Sequence, residues 1–339
     1  MKKMKKILSF FLTIALCIAC AFAIAGCNKS GGNRFTVYAP DGAPALSVAG
    51  IANSPSNDRF NVKVVKADTI SAYVNGNSPA ADFAVLPVNA AVKMLGSGEK
   101  YKMLGTVTHG NLFILKKQGG EDITTTDDLT KLVGKTVGVI NLVNVPGLTF
   151  KVILNDNGIA YNELKDGASA ASDKVNLLAV TAQQAIPTNS DCDYFVVSEP
   201  AASTRVAITS GKLNFAGSLQ TLYGGEDGYP QAVAVVKREI AENHRDAVNA
   251  FIESFATTKQ WLLSEDTSAE QIVSAVQSCI EGDMEPMFTA QNLNKNIISN
   301  CGIGFVGNEN CKDGVIEFMQ KFNAVSGGAW GMPADGFFL

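Results

Sequence analysis

One unit occurs twice in the chain: an apolar run, a loop of Gly, Asn or Asp, a proline, and a helical pattern. The first copy covers residues 35–53 and the second 136–157. In the first, Phe35–Ala39 reads as a strand, and Asp41, Gly42, Ala43 and Pro44 break it. Ala45–Asn53 then reads as a helix with Pro44 in its first turn. In the second, Thr136–Ile140 is the strand and Asn141–Asn144 the loop. Pro146 opens a helix over Gly147–Asp156, which Gly158 caps. The copies share a pattern, not a sequence.

The rest of the chain continues the alternation. Asn61–Lys66, Asp82–Leu86, Met103–Thr108, Leu112–Lys116, Val175–Ala179, Tyr194–Val197 and Ala232–Val236 are expected strands. Val88–Leu95, Glu239–Ser264 and residues 268–280 and 284–300 are expected helices. Strands alternating with helices mark an α/β fold with parallel strands. Its strand-to-helix loops present free backbone N–H groups and the positive end of a helix dipole. Ligands of open α/β sheets sit at the carboxyl ends of the strands. Two such loops facing each other, one per domain, would make a cleft with half a site on each wall.

The N-terminus has its own logic. Lys2, Lys3, Lys5 and Lys6 precede an uninterrupted apolar run, Ile7 to Gly26. That is the signature of a secretory signal, although the run is also about as long as the roughly 20 residues a bilayer needs. Ile24-Ala25-Gly26-Cys27 decides between them, because it resembles the bacterial lipobox, with Ile24 for the usual Leu. Cys17 and Cys20 lack small residues at the right offsets. The resemblance implies that residues 1–26 are a lipoprotein signal peptide and that Cys27 is diacylated, enough chain for a stable anchor. Residues 27–33 are then the lipidated cysteine and a polar, Gly-rich tether reaching about 13 Å as a coil. The globular part starts near Arg34, outside the cytoplasm. It lies at the outer face of the cell membrane, the periplasmic side where an outer membrane exists.

Charge and size bound the rest. The first 26 residues carry four of the 28 Lys+Arg, which leaves 24 against 32 Asp+Glu and a net charge near −8. That excludes a nucleic-acid partner and a basic surface for anionic lipid. About 300 residues are too many for one ordinary core and suit two domains. After Cys27 only Cys192, Cys279, Cys301 and Cys311 remain. A Gly-rich loop separates Cys301 from Cys311 and could close a disulfide between them; buried free thiols are the alternative. These four have no CxxC spacing, so no metal site is expected, and no cofactor is implied.

Several stretches together resemble the solute-binding proteins of ABC importers in the nitrate/sulfonate/taurine and thiamine-pyrimidine group. They are Tyr38 to Leu46, Ala81 to Pro87, Gly134 to Ile140 with Asn144 to Thr149, and Val197 to Ala201. The resemblance implies a type II periplasmic-binding-protein-like fold. Its two α/β lobes are joined by two crossover strands that form a hinge, with the ligand cleft between them. Mapped here, lobe 1 is residues 34–117 plus 230–339 and lobe 2 is 118–229, with crossovers near Lys116–Gly120 and Gly225–Gln231. The implied partners are a small solute and an ABC permease with its ATPase, for a monomer that meets the membrane only through its lipid.

Candidate ligand contacts follow from that mapping. Asp41, Gly42 and Ala43 form the first loop, where Asp41 has the alternative role of helix cap. Asn144, Pro146, Gly147 and Thr149 form the second, where Asn144 has the same alternative. Pro87 and Asn89 end a strand of the first lobe. Glu199 lies in a Ser-Glu-Pro turn and either accepts from ligand or makes a bond inside its lobe. Tyr229 near the return hinge could stack on a ring. His109 lies between two strands with no second metal ligand beside it, so it is a contact candidate and not a catalytic one. The arginines are 34, 59, 205, 238 and 245, and none maps onto a cleft loop. Asp41 and Glu199 as acceptors favour a thiamine pyrimidine precursor or similar heterocycle over a sulfonate.

Two other function classes fit such a chain. One is an enzyme on the same two-lobed fold, such as a chorismate dehydratase-like protein. Export argues against it, and the sequence has no G-x-S-x-G, G-x-x-x-x-G-K-[ST] or H-E-x-x-H. The other is a sensor that presents ligand to a membrane receptor.

Overall fold

The computed structural model describes residues 34–54, 58–165, 168–185, 191–224 and 228–339. The expected signal peptide, Cys27 and the tether lie outside the described residues.

The chain opens with β1 (Phe35–Pro40), α1 (Ala43–Asn53), β2 (Phe60–Val65), α2 (Ile70–Val74), β3 (Phe83–Pro87) and α3 (Val88–Leu95). It continues through β4 (Tyr101–Thr108), β5 (Leu112–Lys117), β6 (Thr136–Ile140), α4 (Val145–Asp156), β7 (Tyr161–Leu164) and β8 (Val175–Val180). Then come β9 (Tyr194–Ser198), α5 (Ala201–Ile208), β10 (Leu213–Ser218), α6 (Leu219–Tyr223), β11 (Ala232–Lys237), α7 (Arg238–Asn243) and α8 (Arg245–Leu263). It closes with α9 (Ala269–Gln277), α10 (Lys295–Asn300), β12 (Ile303–Gly307) and α11 (Asn308–Ser326).

These strands form two six-stranded sheets, ordered β12-β4-β11-β3-β1-β2 and β10-β5-β9-β6-β8-β7. Each is mixed. β2, β1 and β3 run parallel in the first sheet and β7, β8, β6 and β9 in the second, while β11, β12, β5 and β10 pair antiparallel. The central strands are apolar throughout, as strands covered on both faces must be. On one face of the first sheet, Phe83 of β3 packs on Phe251 of α8, and both, with Phe255 of α8, are fully or nearly fully buried. Each such ring contributes about 1.5–3 kcal/mol by leaving water.

The two sheets share one apolar cluster. It runs from Val233 and Val235 in β11 to Val137, Val139 and Val196 in the second sheet, and includes Tyr229, Leu222 and Phe318. Helix α11 spans the junction. It packs against β4 on one side and α4 on the other, and Lys321 on α11 pairs with Asp156 on α4 at 3.0 Å. Among the described residues, no helix is long and apolar enough to cross a membrane.

Three expectations are corrected, and one open alternative is decided. Leu112–Lys117 does not end the first lobe; it pairs with β9 and β10 in the second sheet. The first crossover is therefore the three residues His109–Asn111, not 116–120. A strand-Gly-strand sequence reads locally as a hairpin, but here each strand finds its partners in a different sheet. The long helix expected over Glu239–Ser264 is broken at His244 into α7 and α8. The helix expected over 284–300 exists only as Lys295–Asn300; Pro286 lies in the irregular stretch before it. Of the two alternatives for Cys301 and Cys311, a disulfide or buried thiols, the structure has the buried thiols. Cys301 is buried beside Ile297 and Ile303, whereas Cys311 belongs to the cluster of Val315 and Phe318, so the two thiols belong to separate apolar clusters.

Candidate functional site

The ends of three strands meet where the chain first passes between the sheets. Thr108 closes β4, and Gln231, just ahead of β11, donates its N–H to the Thr108 carbonyl at 3.0 Å. Val88, just after β3, donates to the Gln231 carbonyl at 3.0 Å. On the other side Glu199, just after β9, donates its N–H to the carbonyl of Asn111 at 2.9 Å. Pro87 and Glu199, both expected at the site, are thus linked through Gln231 and Asn111, which were not.

Side chains continue the link. Asn111 Nδ2 donates to the Glu199 carbonyl at 3.4 Å, and Gln231 Nε2 donates to Asn111 Oδ1 at 2.7 Å. The Glu199 carboxylate is 1% exposed. Its Oε1 accepts from Ser203 Oγ at 2.7 Å and from Asn300 Nδ2 at 3.0 Å, and its Oε2 accepts from Ser203 N at 3.1 Å. Asn300 lies on α10, beside the first sheet, so this bond ties the two lobes together. Glu199 therefore makes the bond inside its lobe that was one of its two alternatives, and it also reaches across to Asn300, which neither alternative foresaw. Burial, with the Glu199 charge beside it, pushes the Cys301 thiol far above its usual range.

Two buried polar atoms in this row have no hydrogen-bond partner among the described residues: Thr108 Oγ1 and Gln231 Oε1. A buried orphan of this kind costs about 1–3 kcal/mol. Such a cost at a strand-end junction is tolerated where something else can meet the atoms.

The two strand-helix loops differ in state. In the first, Asp41 does not cap α1. Its Oδ1 accepts from Gly42 N at 2.8 Å and its Oδ2 from Met287 N at 2.8 Å. Burial holds this carboxyl above the usual carboxylate range, against the lowering effect of those two bonds. Gly42 has φ 98°, a conformation that suits glycine. Ala43 is buried behind it. In the second loop, Asn144 is exposed and makes no side-chain cap bond. Val143 beside it is 66% exposed. Pro146 is in the first turn of α4, and Gly147 lets the carbonyl of Leu142 pack against that turn. Thr149 is fully buried, with Oγ1 unpartnered among the described residues.

The remaining three candidates differ in placement. Asn89 is 2% exposed, inside α3. Tyr229 is not offered to a ring: it is fully buried, stacked on Phe318 with ring centroids 5.7 Å apart. Burial raises its hydroxyl pKa well above the usual range. His109 contacts Thr106 Oγ1 through Nε2 at 2.7 Å. It also lines a cavity of about 970 Å³ beside the crossover, with Gln220 from the second lobe and Lys259, Gly302 and Phe305 from the first. That volume is of ligand size.

The first lobe's two loops and the crossover row supply backbone groups, amides and carboxylates, with no arginine. Arg205 lies one turn into α5, and its guanidinium donates to the carbonyls of Ala201 and Ala182 at 3.1 and 2.9 Å. No group of three or more His, Cys, Asp or Glu side chains among the described residues could hold a metal ion.

No family model matches the chain, and no curated protein matches it. Solved structures do. An ABC transporter protein from Parabacteroides distasonis superposes with a TM-score of 0.67 at 18% identity, over 91% of this chain and 99% of that one. The periplasmic aliphatic sulphonate binding protein of Escherichia coli gives 0.58 at 13% identity, over 87% of each chain. The periplasmic nitrate-binding protein of Synechocystis gives 0.53 at 14% identity, over 90% of this chain and 83% of that one. The likeness is one of fold: this chain has the two-lobed α/β architecture of the periplasmic binding proteins.

Proposed function

We propose that the chain is the extracytoplasmic solute-binding component of an ABC-type importer, anchored through a lipid on Cys27. One lobe is built on the first sheet and the other on the second, and they close on a small organic solute. The observation that carries this reading is the crossover row. Carboxyl ends of strands from both sheets converge there, which is where α/β sheets bind ligands. The row includes an interlobe hydrogen bond, Asn300 to Glu199, that opening would break and closure would remake. The fold neighbours that are periplasmic binding proteins support the reading, as does the secretory N-terminus. The solute is a heterocycle of the thiamine-pyrimidine kind or a sulfonate, and the downstream partner is a permease with its ATPase.

A thermal-shift screen of the purified chain tests it, using aminopyrimidines, sulfonates, nitrate and amino acids. Ligand at a thousand times its dissociation constant adds about 4 kcal/mol, or a rise of about 8–16 °C at 2–4 °C per kcal/mol. One compound class giving such a rise, and recovered chemically unchanged, is the expected result. Recovery of a converted product would make the protein an enzyme instead.

A further inference from the structure

The crossover row has a fixed polarity. Its anchor is a backbone carbonyl, Glu199 O, which can only accept. Asn111 therefore turns Nδ2 toward it and leaves Oδ1 to face Gln231. Gln231 must answer with Nε2, which leaves Oε1 as its free end. Amide orientation is ordinarily ambiguous and is settled by the network around it; here a main-chain atom settles two amides in sequence. The free end is an acceptor. Next to it, joined through the backbone bond from Gln231 N to Thr108 O, is the second unpartnered group, Thr108 Oγ1.

We infer that Gln231 and Thr108 are the specificity-determining residues of the solute site, and that they select a solute presenting N–H donors over an oxyanion. Resting on the solute-binding reading above, this names the class of solute. Nitrate and simple alkanesulfonates carry no proton to give at neutral pH, so against Gln231 Oε1 they would bring acceptor to acceptor. A site built to hydrogen-bond one partner rejects an analogue that leaves its buried groups unpaired. An amino-substituted heterocycle fits: its exocyclic N–H meets Gln231 Oε1, and the Thr108 hydroxyl, which donates or accepts, serves the neighbouring ring atom. Both groups are buried as the lobes stand, so solute entry requires the lobes to part.

Isothermal titration of the purified full chain with two probe sets tests this. The donor set is 4-aminopyrimidine, cytosine and adenine; the oxyanion set is nitrate and ethanesulfonate. At least one donor probe is expected to bind and both oxyanions to fail. Gln231→Met is expected to weaken that donor probe tenfold or more. Thr108→Val, which leaves the amide relay intact and removes only an unpartnered hydroxyl, is expected to weaken it about threefold without lowering the melting temperature. Thr108→Val also keeps the question open to measurement if Gln231→Met fails to fold. Binding of an oxyanion with the donor set silent overturns the inference and leaves the solute-binding reading standing. Donor binding that neither variant changes overturns it too. Silence from both probe sets sinks the solute-binding reading, and the inference with it.

Discussion

The two strand-helix loops look alike in sequence and are held in opposite ways. The first is clamped: both oxygens of Asp41 are spent on backbone N–H groups, one of them from Met287, nearly 250 positions away in sequence. The second has no such polar side-chain tie among the described residues: Asn141 is in the left-handed region at φ 60°, the Leu142 carbonyl is pressed against Gly147, and the Leu142 side chain is buried in the apolar cluster. Its tip, Val143 and Asn144, is exposed. A side chain that looks like a ligand donor in sequence can thus be a structural tie, and an equivalent loop can keep its polar groups available.

Breaking the second loop should cost most. A Cβ on Gly147 would lie 1.9 Å from the Leu142 carbonyl oxygen, a backbone atom that cannot step aside. Gly147→Ala is expected to lose about 3 kcal/mol or more, read as a lower urea midpoint. Gly42→Ala should cost less, about 1–2 kcal/mol. The penalty there is its φ of 98°, while the nearest atom, Met287 Sδ at 3.3 Å, ends a flexible side chain. Equal losses would mean the loops are held alike after all. Asp41→Asn sets an amide N–H against a backbone N–H, with an expected cost of about 1–2 kcal/mol. Hydrogen exchange should then speed up around Met287 and not around Asn144. Asn144→Ala should move stability by no more than about 0.5 kcal/mol while weakening solute about tenfold, one hydrogen bond's worth.

The smallest effect is one of pH. Asp41 is raised by burial, so the folded chain holds its proton more tightly than the unfolded chain does. Its contribution is fullest below the ordinary carboxylate pKa and is lost as pH rises through the raised value. The stability gap between wild type and Asp41→Asn should therefore narrow across that window. A gap that widens with rising pH would mean that the two hydrogen bonds outweigh burial.

Most strands were legible because their apolar runs are short and bounded by Gly, Pro, Asn or Asp, and β6 and α3 fall at the expected residues. What failed was non-local. Nothing around His109-Gly110-Asn111 says that the flanking strands belong to different sheets. In 284–300, Met284, Met287 and Phe288 have helical spacing, but Met287 N goes to Asp41 and the helix begins only at Lys295. At the site, Pro87 and Glu199 were legible as strand-end punctuation. Thr108, Asn111 and Gln231 were not, because a lone polar residue at a strand end carries no motif, and its meaning lies in partners up to 120 positions away. Tyr229 was misplaced for a related reason: an aromatic near a hinge looks the same whether it faces solute or, as here, the ring of Phe318.

The position of β11 sets an order of assembly. It lies between β3 and β4 in the first sheet, yet it comes after every strand of the second. A chain emerging amino end first would therefore present residues 112–218, a full second sheet, while β3 and β4 still waited with open edges. Such edges are templates for wrong pairing, and late long-range strand insertion is slow. A nascent chain halted before residue 232 would hold one finished half and one half that cannot close.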